Sequence, residues 1–273
     1  MSEAIEQLKA NLPTHPPVDS LKPLEEDYTG LRILAVHAHP DDESSKGAGT
    51  ASAYIARGAR FMVATMTGGE RGDILNEEID KSPRAHRDLP GLRRAEMAAA
   101  REIMGIEHRW IGFFDSGLPE GDPMPPLPFG SFGTMPLDRA AAPLVRLVRE
   151  YRPHIIITYD EIGGYPHPDH IMTHKVAVEA FEKAGNPEAY VGEGEPWTPL
   201  KLYYDRAFNP ERTLALHEHL LDTHGESLLS GWIENLAHRA SSGEAPRHET
   251  TTRILVHDHF EQRDQALRAH ASQ

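Results

Sequence analysis

Two short stretches of this chain concentrate residues that hold metals and move protons. The first is His37-Ala38-His39-Pro40-Asp41-Asp42-Glu43 and the second is Gly163-Gly164-Tyr165-Pro166-His167-Pro168-Asp169-His170. His39 and Asp42 are three apart, so one turn of chain can aim both at a single point, and His170 offers a third ligand. Two His and one carboxylate leave a position open on Zn2+, the arrangement of a catalytic site. Asp41, beside the ligands, is free to take a proton from a water whose pKa the metal lowers to about 7. The chain has no Cys, so thiolate ligands and disulfides are excluded and one Zn2+ per chain must be held by His and carboxylates. Iron suits the same donors. Alone, His-Pro-Asp-Asp reads more simply as a helix N-cap with Pro in the first turn. A second His- and Asp-rich loop favours the metal site.

These stretches need a scaffold that joins positions 128 residues apart. Apolar runs at 31–36, 60–67, 109–113, 154–159 and 197–204 read as strands, with another near 251–256. Helices are expected over 47–57 (closed by Gly58), 91–104 (stopped by Gly105), 137–151 and 169–183. The polar stretch 68–90 and the Pro-rich stretch 116–136 read as long loops. Alternating strands and helices predict an α/β fold: a Rossmann-like, mostly parallel sheet flanked by helices, with a smaller C-terminal α+β portion. In such a sheet ligands bind beyond the carboxyl ends of strands, and both His-rich loops follow a strand. Gly47-Ala48-Gly49-Thr50-Ala51-Ser52 lies eleven residues past its strand, inside a helix, so it is no dinucleotide fingerprint.

At 273 residues the chain is one large domain or two small ones. Residues 1–30, with four Pro, read as an N-terminal arm, and 31–273 as the catalytic domain, its 205–273 part more helical. A net charge of -14 argues against tracking nucleic-acid phosphates. Neither a membrane span nor a signal peptide is evident, so a cytoplasmic protein is expected. His37 reads as structural, His174 as supporting or solvated, and the seven His after residue 180 other than His270 as solvated.

AHPDDE at 38–43 and HPDH at 167–170 resemble the LmbE-like, or PIG-L, family of zinc-dependent deacetylases and amidases. The likeness extends through 36–48, 67–76, 112–122, 159–171, 194–204 and 263–273. It implies His39, Asp42 and His170 as zinc ligands and Asp41 as general base. His167 would stabilise the oxyanion or protonate the leaving amine, with Asp169 orienting it and Tyr165 holding the carbonyl oxygen. Arg93 and Asp115 match positions that grip sugar and inositol hydroxyls, Glu70 matches a nearby loop acid, and His270 falls in a segment near the active site. Read without the family, Arg93 could pair with Glu96, Asp115 could cap the turn at Ser116-Gly117, and His270 could be solvated. Lys46 and Tyr165-Pro166-His167 look like the amidase branch, which cleaves the amide of mycothiol S-conjugates to a mercapturic acid and glucosaminyl-inositol. The partner implied is a small-molecule thiol conjugate; the alternative is deacetylation of N-acetylglucosaminyl-inositol. Members of this branch usually continue past the last matching segment, so the resemblance implies a C-terminal part that this sequence lacks. The sequence leaves a homo-oligomer open.

Overall fold

The computed structural model describes residues 3–10, 21–121, 123–206, 209–241 and 248–273. They form two compact units, one within 1–24 and 207–255, the other within 25–206 and 256–273.

The larger unit is built on five strands: β1 (Arg32–His37), β2 (Arg60–Thr67), β3 (Glu107–Phe113), β4 (Ile155–Thr158) and β5 (Lys201–Tyr204). All neighbours are parallel, in the order β3-β2-β1-β4-β5. The order reverses at β1, whose neighbours are β2 and β4. That switch point opens a crevice beyond the carboxyl ends of β1 and β4, where the two His-rich loops begin.

Both faces of the sheet are covered, as parallel strands require. Ile33, Ala35, Phe61 and Val63 point to one face and pack with Ala51, Met97, Ala100 and Ala266. These last come from α2 (Ala48–Ile55), α5 (Leu89–Met104) and α10 (Phe260–Ala269). Leu34, Val36, Met62 and Ala64 point the other way, against Leu144, Val148, Ala177 and Ala180. Those belong to α6 (Leu137–Tyr151) and α7 (Pro168–Lys183).

The expected elements are present with shifted edges. The helix expected at 47–57 is a π-helical turn, Glu43–Gly47, running into α2. Such turns re-aim side chains and recur at functional sites. The 68–90 loop contains two short helices, α3 (Glu77–Asp80) and α4 (Pro83–Arg87). The strand expected near 251–256 is absent among the described residues. Its last residue, Val256, packs on a helix instead, 3.1 Å from where a Cβ on Gly49 would sit.

The smaller unit is helical. It contains α1 (Glu3–Ala10), α8 (Pro210–His224) and α9 (Ser230–Ser241). Leu8, Leu214, Ile233 and Ala237 form its core, and Lys9 pairs with Glu218 at 2.6 Å. Part of the expected N-terminal arm is therefore a packed helix. The C-terminal helices divide between units, α8 and α9 in the smaller and α10 in the larger. His217 is buried, its Nδ1 2.9 Å from Ser227 Oγ, so it departs from the expected solvated set. No described helix is long and apolar enough to cross a membrane.

Candidate active site

Hydrogen bonds from Tyr159, the residue after β4, fasten the loop after β1. The Tyr159 hydroxyl accepts from Ala38 N–H at 2.8 Å and donates to Asp42 Oδ2 at 2.7 Å. His39 N–H donates to the same Asp42 oxygen at 2.9 Å, and Lys46 Nζ donates to Oδ1. Burial opposes the charge on Asp42, but Lys46, His170 and His39 outweigh it and hold the carboxyl well below its usual range.

The ring partners fix how the two histidines present themselves. His170 lies in the first turn of α7 and is fully buried, its Nδ1 2.9 Å from Gly163 O. A carbonyl only accepts, so Nδ1 carries the proton and Nε2 a lone pair. His39 Nε2 lies 3.2 Å from Asp169 Oδ2 and 3.6 Å from Asp115 Oδ1, which makes it a donor too. That leaves His39 Nδ1, His170 Nε2 and Asp42 Oδ2 facing one another. Their separations are 3.3, 3.6 and 3.8 Å. Nitrogen and oxygen ligands about 2 Å from one tetrahedral Zn2+ sit about 3.3 Å apart, so the donor set fits such an ion. A second grouping, His39, Asp115 and His167, is also close enough. It would need the His39 nitrogen that is already turned to Asp169.

The electrostatics ask for a cation at the same point. Burial works against charge on His39, yet hydrogen bonds to Asp115 and Asp169 and the field of Asp42 push it up to about 10. Burial takes His170 down to about 4, against the pull of Asp42. Without a metal the proton therefore sits on His39, and a divalent cation would replace it.

Asp41 stands next to this centre with φ of 117°, a left-handed conformation that costs an L residue about 1–3 kcal/mol. Glu43 Oε2 accepts the Asp41 N–H at 2.9 Å. Burial, then the charges of Asp42 and Glu43, push Asp41 up to about 7, with His39 and Lys46 opposing. A carboxylate poised there suits a general base near neutrality.

Residues 34–181 match the family model described as PIG-L, GlcNAc-PI de-N-acetylase. Over 245 residues the chain is 51% identical to the mycothiol S-conjugate amidase of Streptomyces coelicolor, covering 89% of this chain and 82% of that protein. The chain belongs to the PIG-L family. It is 40% identical over 190 residues to the 1D-myo-inositol 2-acetamido-2-deoxy-alpha-D-glucopyranoside deacetylase of Streptomyces avermitilis, covering 67% of this chain and 64% of that relative. The N,N'-diacetylchitobiose deacetylase of Pyrococcus horikoshii shares the fold with a TM-score of 0.58 at 16% identity, over 89% of this chain and 70% of that one. PIG-L membership makes the chain an amide hydrolase.

The remaining residues singled out for PIG-L chemistry gather around the centre, some in different company from that expected. His167 caps α7, accepting Asp169 N–H at 3.1 Å, and its ring lies 4.6 Å from that of His39. Burial, then His39, takes it down to about 4. Tyr165 is half-buried, 4.6 Å from the His170 ring, and burial pushes its hydroxyl up to about 12. Asp169 meets His167 through its backbone N–H. Its carboxylate holds His39 Nε2 and accepts from Ser116 N at 2.9 Å and from Ser116 Oγ, the support that a metal-binding His would need. Asp115 accepts from Arg71 N at 3.1 Å and Gly117 N at 2.8 Å, which makes it both a turn cap and a neighbour of His39. Glu70 accepts from Asp115 N at 3.0 Å.

Arg93 is buried and donates to Gly69 O and Asp73 O at 2.8 and 3.0 Å, with no ion pair to Glu96. With its amide turned to satisfy both neighbours, Gln273 donates to Asp41 Oδ2 at 3.0 Å and accepts from Arg93. Lys46 spends its ammonium on Asp42, and its side chain is 8% exposed. His270 lies 2.7 Å from Glu43 Oε1 and is buried rather than solvated. His174 Nδ1 meets Tyr159 O at 3.0 Å, and buried His37 lies 5.6 Å from the Tyr159 ring. Sequence reading missed Tyr159, bonded to Asp42, Gly163, facing His170 Nδ1, and Ser116, bonded to Asp169.

Gly163 gives a sharp test. Its φ is +75°, and a Cβ there would meet His170 Cβ at 2.5 Å. Gly163→Ala is expected to displace His170 and weaken metal affinity about 10–100-fold, the usual cost of disturbing a ligand's support. Chelator competition measures this; unchanged affinity would remove His170 or its Gly163 contact from the ligand set.

Proposed function

We propose that this chain hydrolyses the amide of mycothiol S-conjugates, releasing an N-acetylcysteine S-conjugate and glucosaminyl-inositol, with one Zn2+ held by His39, Asp42 and His170. The observation that carries the substrate choice is the 51% identity to the Streptomyces coelicolor amidase, against 40% over a shorter span to the Streptomyces avermitilis deacetylase. The site supports hydrolysis because a base carboxylate, Asp41, stands beside a ligand set that leaves a position free. Metal bound there supplies Lewis acidity and a more acidic water. Asp41 takes the proton from the attacking water. Tyr165 keeps its hydroxyl proton at neutral pH and donates to the carbonyl oxygen as charge develops. His167, whose ring lies 4.6 Å from that of His39 and is neutral at rest, relays to the leaving amine the proton that Asp41 has taken from the water. Asp169 and Asp115 keep His39 turned toward the centre.

The Pro-rich loop adds support. Leu118, Met124 and Phe129 are 52%, 64% and 105% exposed, apolar surface that suits a bulky S-substituent and that an acetyl group has no use for. The second reading is deacetylation of N-acetylglucosaminyl-inositol, favoured by the 40% identity to the Streptomyces avermitilis deacetylase.

Mass spectrometry of products from bimane-labelled mycothiol and from the acetylated precursor, assayed in parallel, separates the two. A kcat/KM about 10²-fold higher for the conjugate is expected, the scale of discrimination by apolar contacts. Equal rates, or preference for the acetylated precursor, would put the deacetylase first.

A further inference from the structure

Residues 270–273 stitch together three parts of the site that are distant in sequence. His270 Nε2 lies 2.7 Å from Glu43 Oε1, with both side chains 1% exposed. Ser272 donates to Glu96 on α5 twice, from N at 2.8 Å and from Oγ at 2.7 Å. Leu75 N donates to Ser272 O and Asn76 Nδ2 to Ala271 O, both at 2.9 Å, which fastens the loop after β2.

The Glu43 carboxylate joins this segment to the catalytic loop. Its Oε1 faces His270 and also accepts from Ser44 Oγ at 2.6 Å. Its Oε2 takes the backbone N–H of Asp41 at 2.9 Å. That N–H belongs to the residue held at φ 117°. A non-glycine residue keeps such a conformation only where its surroundings over-determine it. Among the described residues, the bond to Glu43 and the turn bonds from Asp41 O to the N–H groups of Ser44 and Ser45 are what fix the Asp41 peptide. His270 in turn fixes Glu43.

We propose that His270 is a positioning residue for the hydrolytic reaction: by clamping Glu43 it holds the Asp41 backbone in its left-handed conformation and so aims the Asp41 carboxylate. This rests on Asp41 being the base. His270 contacts none of the three metal ligands in any hydrogen bond or ion pair given by its side chain. Its loss therefore acts on rate and leaves the metal in place. Ser272 and Ala271 keep their own anchors, so a substitution at 270 removes one link and not the segment.

The test compares His270→Phe, which keeps a ring without a donor, with His270→Gln, whose amide N–H still reaches toward Glu43. Each is assayed on whichever of the two amide substrates the native chain hydrolyses. His270→Phe is expected to lose about 10²-fold in kcat, the scale of a misplaced catalytic group, with KM and metal stoichiometry unchanged. His270→Gln should recover most of that loss. Should His270→Phe fail to fold, His270→Asn, whose amide is too short to reach Glu43, takes its place. Three results would overturn the proposal: native kcat without the donor, metal lost in step with activity, or Gln no better than Phe. If the native chain hydrolyses neither substrate, the proposed function fails, and hydrogen exchange at the Asp41 amide still reads the clamp. Faster exchange in Phe than in Gln supports it; equal exchange sinks it.

Discussion

Asp42→Ala is expected to leave the purified chain without a stoichiometric divalent metal and without hydrolytic activity. The carboxylate does several jobs in one buried place. It faces His39 Nδ1 and His170 Nε2 at 3.8 and 3.6 Å, and it receives His39 N–H and the Tyr159 hydroxyl. It is also the counter-charge of buried Lys46. Alanine removes a ligand and strands an ammonium, and breaking a buried pair from one side costs about 3–5 kcal/mol. At roughly 2–4 °C per kcal/mol for a chain of this size, a fall in Tm should accompany the metal loss. Asp42→Asn keeps the shape and an acceptor, so it separates the two effects: metal is still lost, with a smaller fall in Tm. Elemental analysis of both variants decides the point. A full equivalent of metal in Asp42→Ala would move the site to the neighbouring group of His39, Asp115 and His167.

Most of the scaffold was legible because period and punctuation carry it. Short apolar runs separated by helical stretches ending at Gly58 and Gly105 specify parallel β-α units, and the two His-rich loops fall at strand ends by that pattern alone. What failed depended on long-range neighbours. Residues 251–256 have the composition of a strand, but Val256 packs on Gly49, some 200 positions earlier. The partners of α1 are α8 and α9, equally remote, so its stretch reads as an arm. The resemblance makes Asp169 the partner of His167, and the Asp169 backbone N–H reaches that ring at 3.1 Å. The Asp169 carboxylate turns to His39, 130 positions away. Tyr159, ending an apolar strand, reads as core until β4 is placed beside β1. His270 meets a partner 227 positions away, which no local pattern records.

Asp41→Asn is expected to keep the metal and lose about 10²–10⁴-fold in kcat, the contribution of a positioned general base. Asparagine has the same shape and keeps the backbone N–H that Glu43 accepts, and the atoms facing one another on His39, Asp42 and His170 are untouched. It cannot take up a proton. The pH profile makes the assignment specific. Burial and the charges of Asp42 and Glu43 push Asp41 up to about 7, which favours its protonated form. A base works deprotonated, so kcat/KM should rise with pH and level off above the Asp41 pKa. A cation among the three ligands favours the carboxylate, so the acidic limb should fall below that value of 7 and above the ordinary aspartate pKa of about 4. In Asp41→Asn the residual rate should lose this limb, because no carboxyl at that position titrates. Metal analysis must show the native content in the same preparation. A variant with full metal, near-native kcat and an unchanged acidic limb would remove Asp41 as the base and transfer the role to another group at the centre, with His167 the first to substitute.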